Sequence, residues 1–499
     1  MTRARPTIRV VALAAIALAG LFVAYWHIGR QSPYVDEFTY TRAGWAYVHG
    51  VLTDNLQHPP TAKYLFGLAQ LVVGEGVLGP RLVAATASFG TGVVLFAWLR
   101  RPVGHWGALL AAGLWWLTPR GDSPTWTDVA SGTAARIDRL ALLEPVMTFF
   151  AVAALAAAWQ WAARPRRAAD RTTAWDGWWW MALAGALLAL SVTSKVSTAV
   201  LVLAVVAVPL LFRRWSGLVT GGVAAAGAFA VVFVAAYVPV GGTRAIAYML
   251  AFQGEHDTKG HEISVLGKTY MLAPWWTNFV RVVEGVGWPA VVVLLVGIVA
   301  AFVLRPDRLV ALLGIALGIL VVFYATANVA LPHYYQAWMP WAVALAAVGY
   351  ARLARSRPPV TTVVALVLVA VTIVPAAVVV RTVAETRTTG YARLDAALDA
   401  HGVPRTVKVL VSGASQQAFA VFIGHRGATQ AVQYGDYGVL VAGIDPRFPM
   451  DDELRALLRD HPDRFEEFRL DALRVWVVQD GLTIQRRGDT ATLAPAAAG

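Results

Sequence analysis

Residues 10–28 read VVALAAIALAGLFVAYWHI, an uninterrupted apolar stretch that follows the basic residues Arg3, Arg5 and Arg9. About 20 apolar residues are enough to carry an α-helix across the hydrocarbon core of a bilayer. No small-residue cleavage site precedes the polar residues that begin at Gln31. We therefore expect this stretch to be a retained membrane helix and not a signal peptide.

Ten further apolar runs follow the first one. They lie at 79–99, 103–118, 139–162, 177–193, 196–212, 217–240, 286–304, 309–329, 334–353 and 360–380. If each run crosses the bilayer once, the chain is an all-α polytopic membrane protein with about eleven transmembrane helices. Only 14% of the 499 residues are charged, against about 25% in a soluble protein. Lipid must therefore solvate much of the chain.

The basic residues between the runs predict how the chain is oriented. With the N-terminus in the cytoplasm, the cytoplasmic connections all carry arginine, at 100–101, 164–171, 213–214, 305–308 and 352–357. The remaining connections then lie outside, at 29–78, 119–138, 193–195, 241–285 and 330–333. These arginines account for much of the net charge of +12, so we expect a plasma-membrane protein surrounded by lipid, with no nucleic-acid partner.

The tail from residue 381 also falls outside and has a different pattern. Short β-patterned runs occur at 406–412, 418–423 and 474–478, and residues 451–460 have a helical pattern. We predict a multi-pass domain over residues 1–380 and a small extracytoplasmic α/β domain over residues 381–499. No catalytic motif is present in the tail.

The densest polar chemistry lies in the first outer stretch, where Asp36 and Glu37 are adjacent just beyond the first membrane helix. A carboxylate desolvated by the bilayer face can hold a raised pKa and remove a proton from an acceptor hydroxyl. The alternative is a solvated helix cap, which is a common role for acidic residues at this position.

The sequence His58-Pro59-Pro60 forces a turn, because proline cannot continue a helix and restricts the residue before it. Residues 61–74 are then apolar on one side but too short to span, which predicts a helix in the plane of the interface. Lys63 would lie at headgroup height, where it binds a phosphate or only extends its ammonium group towards water.

Three further ionisable residues lie where the outer connections meet membrane helices. Arg81 presents a planar fork suited to phosphate. Glu144 lies about one turn inside an apolar run, where an ionisable group is functional or paired with a neighbour such as Arg139 or Arg81. Lys195 interrupts two helices and needs an anionic partner, either a protein carboxylate or a lipid phosphate.

The outer stretch 241–285 combines histidines, carboxylates and tryptophans. His256, Asp257, His261 and Glu262 could ligate a divalent metal, but their spacing matches no strong zinc pattern, and the chain has no cysteine. We therefore expect no metal and no cofactor, with a divalent cation as the alternative.

Several short motifs, taken in order, resemble those of one superfamily. They are Asp36-Glu37, His58-Pro59-Pro60 with Lys63, Gly79-Pro80-Arg81-Leu82, Leu143-Glu144-Pro145, Ser191-Val192-Thr193-Ser194-Lys195 and His333-Tyr334-Tyr335. Over roughly residues 8–380 the chain resembles the GT-C superfamily of membrane glycosyltransferases. Within it, the similarity is to the polyprenyl-phosphate-dependent protein mannosyltransferases and to the aminoarabinose transferases that modify lipid A.

The resemblance implies transfer of a hexose or pentose from a polyprenyl-phosphate-linked donor on the outer leaflet, with inversion at the anomeric carbon. Asp36 would be the general base, supported by Glu37. Fixed cations would stabilise the departing phosphate because it gains negative charge in the transition state. The implied phosphate-binding residues are Arg81, Lys63 and Lys195, and the implied substrate-binding residues are His58, Glu144, His261 and Tyr334.

Two features depart from the family pattern. Glu144 stands where aspartate is common, and the 119–135 loop is long and shows no preference for an acceptor. A glycan, a lipid and a protein all remain possible acceptors. A lipid or solute transporter is the main alternative, although it predicts mid-bilayer charges and an internal repeat that the sequence lacks. A non-catalytic relative that binds a partner through its tail is the third.

Overall fold

The computed structural model describes residues 6–31, 34–123, 134–164, 177–356, 359–386, 390–413, 428–430, 434–444 and 449–496. Its α-helices are α1 (Pro6–Tyr25), α2 (Val35–Val48), α3 (Thr61–Val73), α4 (Leu78–Leu117), α5 (Leu143–Ala163), α6 (Trp178–Val192), α7 (Val202–Leu211), α8 (Trp215–Tyr237), α9 (Thr243–Lys259), α10 (Thr277–Val286), α11 (Trp288–Leu304), α12 (Arg308–Thr326), α13 (Met339–Leu353), α14 (Pro359–Ala384), α15 (Leu394–Ala400) and α16 (Asp452–Asp460). Its strands are β1 (Ile263–Val265), β2 (Lys268–Tyr270), β3 (Val409–Ser412), β4 (Ala428–Gln430), β5 (Tyr434–Tyr437), β6 (Val439–Gly443), β7 (Phe465–Leu470), β8 (Leu473–Val478), β9 (Leu482–Arg487) and β10 (Thr490–Pro495).

Every apolar run of the sequence falls on helix, which confirms a helical membrane fold. Within the described residues, six helices are long and apolar enough to cross a bilayer: α1, α4, α5, α8, α12 and α14. A seventh crossing is added if α10 and α11, bent by 112° at their junction, count as one span. The count of about eleven crossings stays a prediction, because α6, α7 and α13 are shorter than the ~20 residues that a span ordinarily needs.

The 40 residues of α4 form a hairpin and not one rod. Gly104 has φ 80°, which a helix does not allow, and it follows Pro102. The Trp115 indole donates to the carbonyl of Ser88 at 2.7 Å, although 27 residues of straight helix would separate them by about 40 Å. The runs at 79–99 and 103–118 are therefore two antiparallel segments, as the sequence predicts.

The apolar surface is consistent with lipid contact. Large side chains on α8 and α14 are exposed, among them Val231 at 70% and Val374 at 67%. Inside the bundle, helices approach closely through small residues: a Cβ at Gly349 of α13 would lie 1.8 Å from the carbonyl oxygen of Gly297 on α11.

Two short segments break the regular pattern of spans. The run expected at 196–212 begins as a six-residue 3₁₀ helix, Val196–Leu201, and continues as α7. Helix α3 buries Phe66 and Gln70 on one face and exposes Leu71 and Val72 on the other. That division fits the in-plane helix expected at residues 61–74.

The C-terminal part is a β-rich domain. Five strands form one sheet in the order β4-β3-β6-β8-β7. Strands β4, β3 and β6 are parallel, and β8 is antiparallel to both of its neighbours, β6 and β7. Strands β10, β9 and β5 form a second, antiparallel sheet. The expected strands at 406–412 and 474–478 match β3 and β8, the expected helix matches α16, and the strand expected at 418–423 lies outside the described residues.

Candidate active site

Two adjacent residues at the start of α2 lie in different environments. The Glu37 side chain is fully buried, and its two oxygens accept hydrogen bonds from Arg81 at 2.8 and 2.7 Å. The backbone N–H groups of Tyr34 and Ala141 also donate to this carboxylate, each at 2.7 Å. Glu37 therefore connects the N-terminus of α2 to α4 and to the segment that precedes α5.

Arg81 is buried as completely as its partner. Its Nη1 donates to the carbonyl oxygens of Ile28 and Gln31, at 2.8 and 2.6 Å. A bidentate arginine–carboxylate pair is strong and geometrically specific. Because Arg81 binds protein acceptors, the structure favours a positioning role for Arg81 and Glu37 over direct contact with a donor phosphate.

Asp36, in contrast, keeps 32% of its side chain exposed, and its Oδ2 lies 3.8 Å from Nε2 of His333. His333 is buried and comes from the segment between α12 and α13. The same nitrogen lies 3.4 Å from Oε1 of Glu144, at the start of α5. One imidazole therefore lies between an accessible carboxylate and a buried carboxylate.

The buried carboxylate has a cationic partner. The Lys195 ammonium donates to Oε1 of Glu144, and the same ammonium lies 4.2 Å from the ring centroid of Tyr334. The sequence left the partners open, and the structure pairs Glu144 with Lys195 and not with Arg139 or Arg81. Of the two anionic partners expected for Lys195, a protein carboxylate or a lipid phosphate, the structure shows a protein carboxylate, and 11% of the Lys195 side chain stays accessible.

Lys195 lies in the short break between the end of α6 and the 3₁₀ helix that follows. The Thr61 N–H donates to the Thr193 carbonyl at 2.8 Å, and the hydroxyls of these two residues lie 2.7 Å apart. Ser191 donates to the carbonyl of Met147 at 2.8 Å, which ties the end of α6 to α5. The turn that carries the lysine is therefore held from two sides.

Burial lowers the pKa values of two histidines of the site. It lowers the pKa of His333, although the Glu144 carboxylate opposes that shift. Burial also lowers the pKa of His58 to about 3, with the Lys195 and Lys63 charges adding to the effect. Both imidazoles are therefore expected to be neutral at physiological pH.

The side chain of Lys63 forms hydrogen bonds with the loop that precedes α3. Its ammonium donates to the carbonyl oxygens of Asn55 and His58, at 2.5 and 2.8 Å, and the side chain is fully buried. The His58 ring contacts Tyr40 edge-on, with 5.3 Å between the centroids. These contacts favour a role for Lys63 in holding the loop that carries His58.

His261 lies further from this cluster. Its ring centroid is 5.4 Å from that of His256 on α9, and the same helix approaches His58 through Phe252, whose centroid lies 6.5 Å away. Asp257 accepts a hydrogen bond from the Asn328 N–H at 2.8 Å. Across the described ranges, no three or more His, Cys, Asp or Glu residues lie close enough together to hold a metal ion.

Sequence reasoning missed two parts of the site. It assigned no role of its own to His333, although His333 begins a motif that supplied Tyr334. It also missed the network around Asp138, whose carboxylate accepts from Arg120 at 2.5 Å and from Arg136 at 2.6 Å. Burial alone would raise the pKa of Asp138, but these two arginines hold it well below its usual range. The signal available was the density of charge at 119–138, next to an apolar helix.

Comparison with known proteins agrees with this architecture. Residues 129–251 match the model of the dolichyl-phosphate-mannose-protein mannosyltransferase family. No curated protein sequence matches the chain. Among solved structures, ArnT from Cupriavidus metallidurans bound to undecaprenyl phosphate is similar, with a TM-score of 0.61 and 15% identity over 94% of this chain and 98% of that one.

Two further structures are similar. ArnT from the same organism in the apo state has a TM-score of 0.60 and 15% identity, over 95% of this chain and 98% of that chain. The oligosaccharyltransferase of Archaeoglobus fulgidus in the apo form has a TM-score of 0.53 and 13% identity, over 88% and 70%. The fold is that of a polytopic membrane protein with its polar residues gathered where helices begin and end. The comparisons thus show the fold of this chain, which is similar to that of the ArnT and oligosaccharyltransferase structures.

Proposed function

We propose that the protein transfers a sugar from a polyprenyl-phosphate-linked donor to an acceptor hydroxyl at the outer face of the membrane, with inversion at the anomeric carbon. The observation that carries this proposal is the arrangement of Asp36, His333, Glu144 and Lys195. Within this cluster of four side chains, Asp36 is an accessible carboxylate and Lys195 is a cation whose side chain is 11% exposed.

Asp36 is the general base of the proposed reaction. Its exposed carboxylate takes the proton of the acceptor hydroxyl as the acceptor oxygen attacks the anomeric carbon. The bond from that carbon to the donor phosphate breaks on the opposite face, so the configuration inverts. The phosphate leaves with the bonding electron pair and with increased negative charge.

Lys195 is the cation that we assign to the leaving phosphate. Glu144 and the Tyr334 ring fix its ammonium, so little reorganisation is needed as charge develops. Arg81 and Lys63, which the resemblance assigned to the phosphate, bind protein acceptors instead, and we propose that they position α2 and α3. His58, Tyr334 and His261 remain proposed substrate-binding residues.

Similarity supports the donor class. The ArnT structure with the higher TM-score was solved with undecaprenyl phosphate, a polyprenyl phosphate. The arginine-rich connections support an orientation that puts the cluster outside, because Asp36 follows α1 and Arg101 follows the first half of α4. We propose a plasma-membrane location on this basis, with residues 381–499 also outside.

The test is transfer of labelled sugar from polyprenyl-phosphate-sugar donors, comparing the native chain with Asp36→Asn at matched expression. We expect the variant to lose activity ~100-fold or more, as removal of a general base does. Glu255→Gln is the matched control, because it removes one carboxylate from an exposed ion pair on α9. The product identifies the acceptor class.

The opposite result has a defined meaning. If Asp36→Asn and Glu255→Gln both transfer sugar as fast as the native chain, Asp36 is not the base. If none of the three transfers any sugar from any donor, the transferase proposal fails, and flipping of a labelled lipid across vesicles becomes the assay.

A further inference from the structure

A cavity of about 480 Å³ lies in the C-terminal domain, between α16 and one face of the five-stranded sheet. Paired residues of three neighbouring strands form the floor of the cavity. Ala442 of β6 pairs with Arg474 of β8, and Glu467 of β7 pairs with Trp476 of β8. Helix α16 packs on the same face through Leu457. Phe465 and Glu467 belong to the edge strand β7, so the cavity extends to the border of the sheet.

The walls of the cavity combine apolar and charged side chains, and the apolar ones come from several elements. They include Met450, Leu458, Pro462 and Phe465, with Ile444 lining the same space and 50% exposed. Small-molecule sites typically enclose about 300–1,000 Å³ and combine apolar walls with a few fixed polar groups. The cavity has the size of such a site and contains both kinds of group.

The charged groups of the cavity are predominantly positive. Arg455 and Arg459 of α16 and Arg474 of β8 line it, together with a single carboxylate, Glu467. Arg474 donates twice to Glu467, at 2.8 and 2.9 Å, and the Trp476 indole donates to it at 3.0 Å. Glu467 is therefore balanced by Arg474, and two arginines remain in excess.

Those two arginines are accessible to a ligand. Their side chains are 56% and 75% exposed, and their partners, Asp452 and Asp460, are exposed residues on the same helix. Ion pairs of this kind are worth about 0–1 kcal/mol, so an anionic ligand can replace the partner at little cost. A planar guanidinium also matches a carboxylate or phosphate through two parallel hydrogen bonds.

We propose that this cavity binds a saccharide that carries a carboxylate or phosphate group. The arginines bind the anionic group, and the Glu467 oxygens accept hydrogen bonds from sugar hydroxyls. The walls at Pro462 and Phe465 accommodate the apolar face of a sugar ring. A bare anion would leave the apolar walls unused, and an acyl chain would make no use of the exposed arginines. The proposal does not depend on the transfer reaction, since none of these residues belongs to the Asp36 cluster.

The test is calorimetric titration of the full-length chain in nanodiscs with trigalacturonic acid and with its methyl ester. The two probes share the same sugar rings, and their carboxyl groups are charged in the acid and neutral in the ester. We expect the acid to bind at least tenfold more tightly than the ester. Galactose 6-phosphate against galactose repeats the comparison for a phosphate, and a preference for one charged probe over the other identifies the anionic group.

Variants of the lining residues test whether the probes bind in the cavity. The double replacement of Arg455 and Arg459 by glutamine is expected to weaken binding of the charged probe at least tenfold. Arg464→Gln is the matched control, because Arg464 is an exposed arginine of the same domain that pairs with Asp480 and does not line the cavity. Asp36→Asn is expected to bind as the native chain does, whether or not it transfers sugar.

Three outcomes overturn the proposal. Equal affinity for the charged and the neutral probes rules out recognition of an anionic saccharide. Equal affinity of the double variant and the Arg464→Gln control puts binding elsewhere. Inorganic phosphate that binds as tightly as either charged sugar shows a site for anions alone.

Discussion

The guanidinium of Arg81 binds both carboxylate oxygens of Glu37, and solvent reaches neither side chain. One residue earlier, Asp36 leaves a third of its side chain accessible beside His333. Two acidic residues that look equivalent in the sequence thus have separate tasks. Glu37 ties α2 to Arg81, and Asp36 stays accessible for the role of base that we propose for it.

This division predicts that two neighbouring substitutions change the free energy of unfolding by very different amounts. Glu37→Gln leaves the Arg81 charge buried without compensation, and we expect a loss of about 3–5 kcal/mol of unfolding free energy. Asp36→Asn, at an accessible carboxylate, should leave stability within about 0.5 kcal/mol of the native value. Thermal unfolding in detergent measures both, and a Glu37→Gln variant as stable as Asp36→Asn would contradict the scaffold role.

The Lys195–Glu144 pair predicts a strong coupling. Lys195→Met removes the cation from a buried carboxylate, and we expect a loss of about 3–5 kcal/mol. Adding Glu144→Gln should restore part of that loss, with a coupling energy of about 0.5–3 kcal/mol in a double-mutant cycle.

The control for that cycle is Lys259→Met, which breaks an exposed pair with Glu255 and should cost less than about 1 kcal/mol. Additive effects of the Lys195 and Glu144 substitutions would mean that the two side chains do not interact.

Asp122 predicts a pH dependence of stability. Burial raises its pKa from 3.8 to about 7, against the hydrogen bond that it accepts from the Ala134 N–H. Between these values the folded chain keeps a proton that the unfolded chain releases, so stability falls as pH rises from about 4 to about 7. The loss should approach about 4 kcal/mol, because one pKa unit corresponds to about 1.4 kcal/mol.

Asp122→Asn removes this term and leaves the other titrations in place. The measured quantity is the stability difference between the native chain and Asp122→Asn at pH 4.5 and at pH 7.5. The native chain should lose stability relative to the variant as the pH is raised. A difference that does not change with pH would show that Asp122 is ionised throughout.

The proposed orientation is testable because the chain contains no cysteine. Lys259→Cys places a thiol on an accessible part of α9, and Arg101→Cys places one at the turn of the α4 hairpin. A membrane-impermeant maleimide should label residue 259 in intact cells and residue 101 only after permeabilisation. The reverse pattern would put the Asp36 cluster in the cytoplasm.

Much of the membrane fold could be predicted from the sequence, because spanning a bilayer requires long apolar runs that need no knowledge of tertiary contacts. The hairpin in α4 shows the strength of this signal, since the basic residues Arg100 and Arg101 separate its two runs. The C-terminal sheets show its weakness. Strands such as β5 and β9 are short and partly exposed, so their periodicity hardly differs from that of a loop.

The sequence singles out residues of the candidate site, but it does not predict how they pair. Motif order identified Glu37, Arg81, Glu144 and Lys195, yet the ion pairs join residues 44 and 51 positions apart. Which cation meets which carboxylate depends on how helices pack, and that information is not local. Burial is equally hidden, and it is burial that separates Glu37 from Asp36.

The 3₁₀ helix Val196–Leu201 makes the segment that it forms with α7 longer, which brings its length closer to the thickness of a bilayer. Its six residues rise about 2.0 Å each and the ten of α7 about 1.5 Å, so the segment reaches about 27 Å, where a uniform α-helix would reach about 24 Å. Hydrophobic mismatch costs a fraction of a kcal/mol for each ångström, and an acyl-chain layer is about 30 Å thick. If this segment is one of the predicted crossings, the extra length reduces the local thinning that so short a segment would otherwise impose on the membrane.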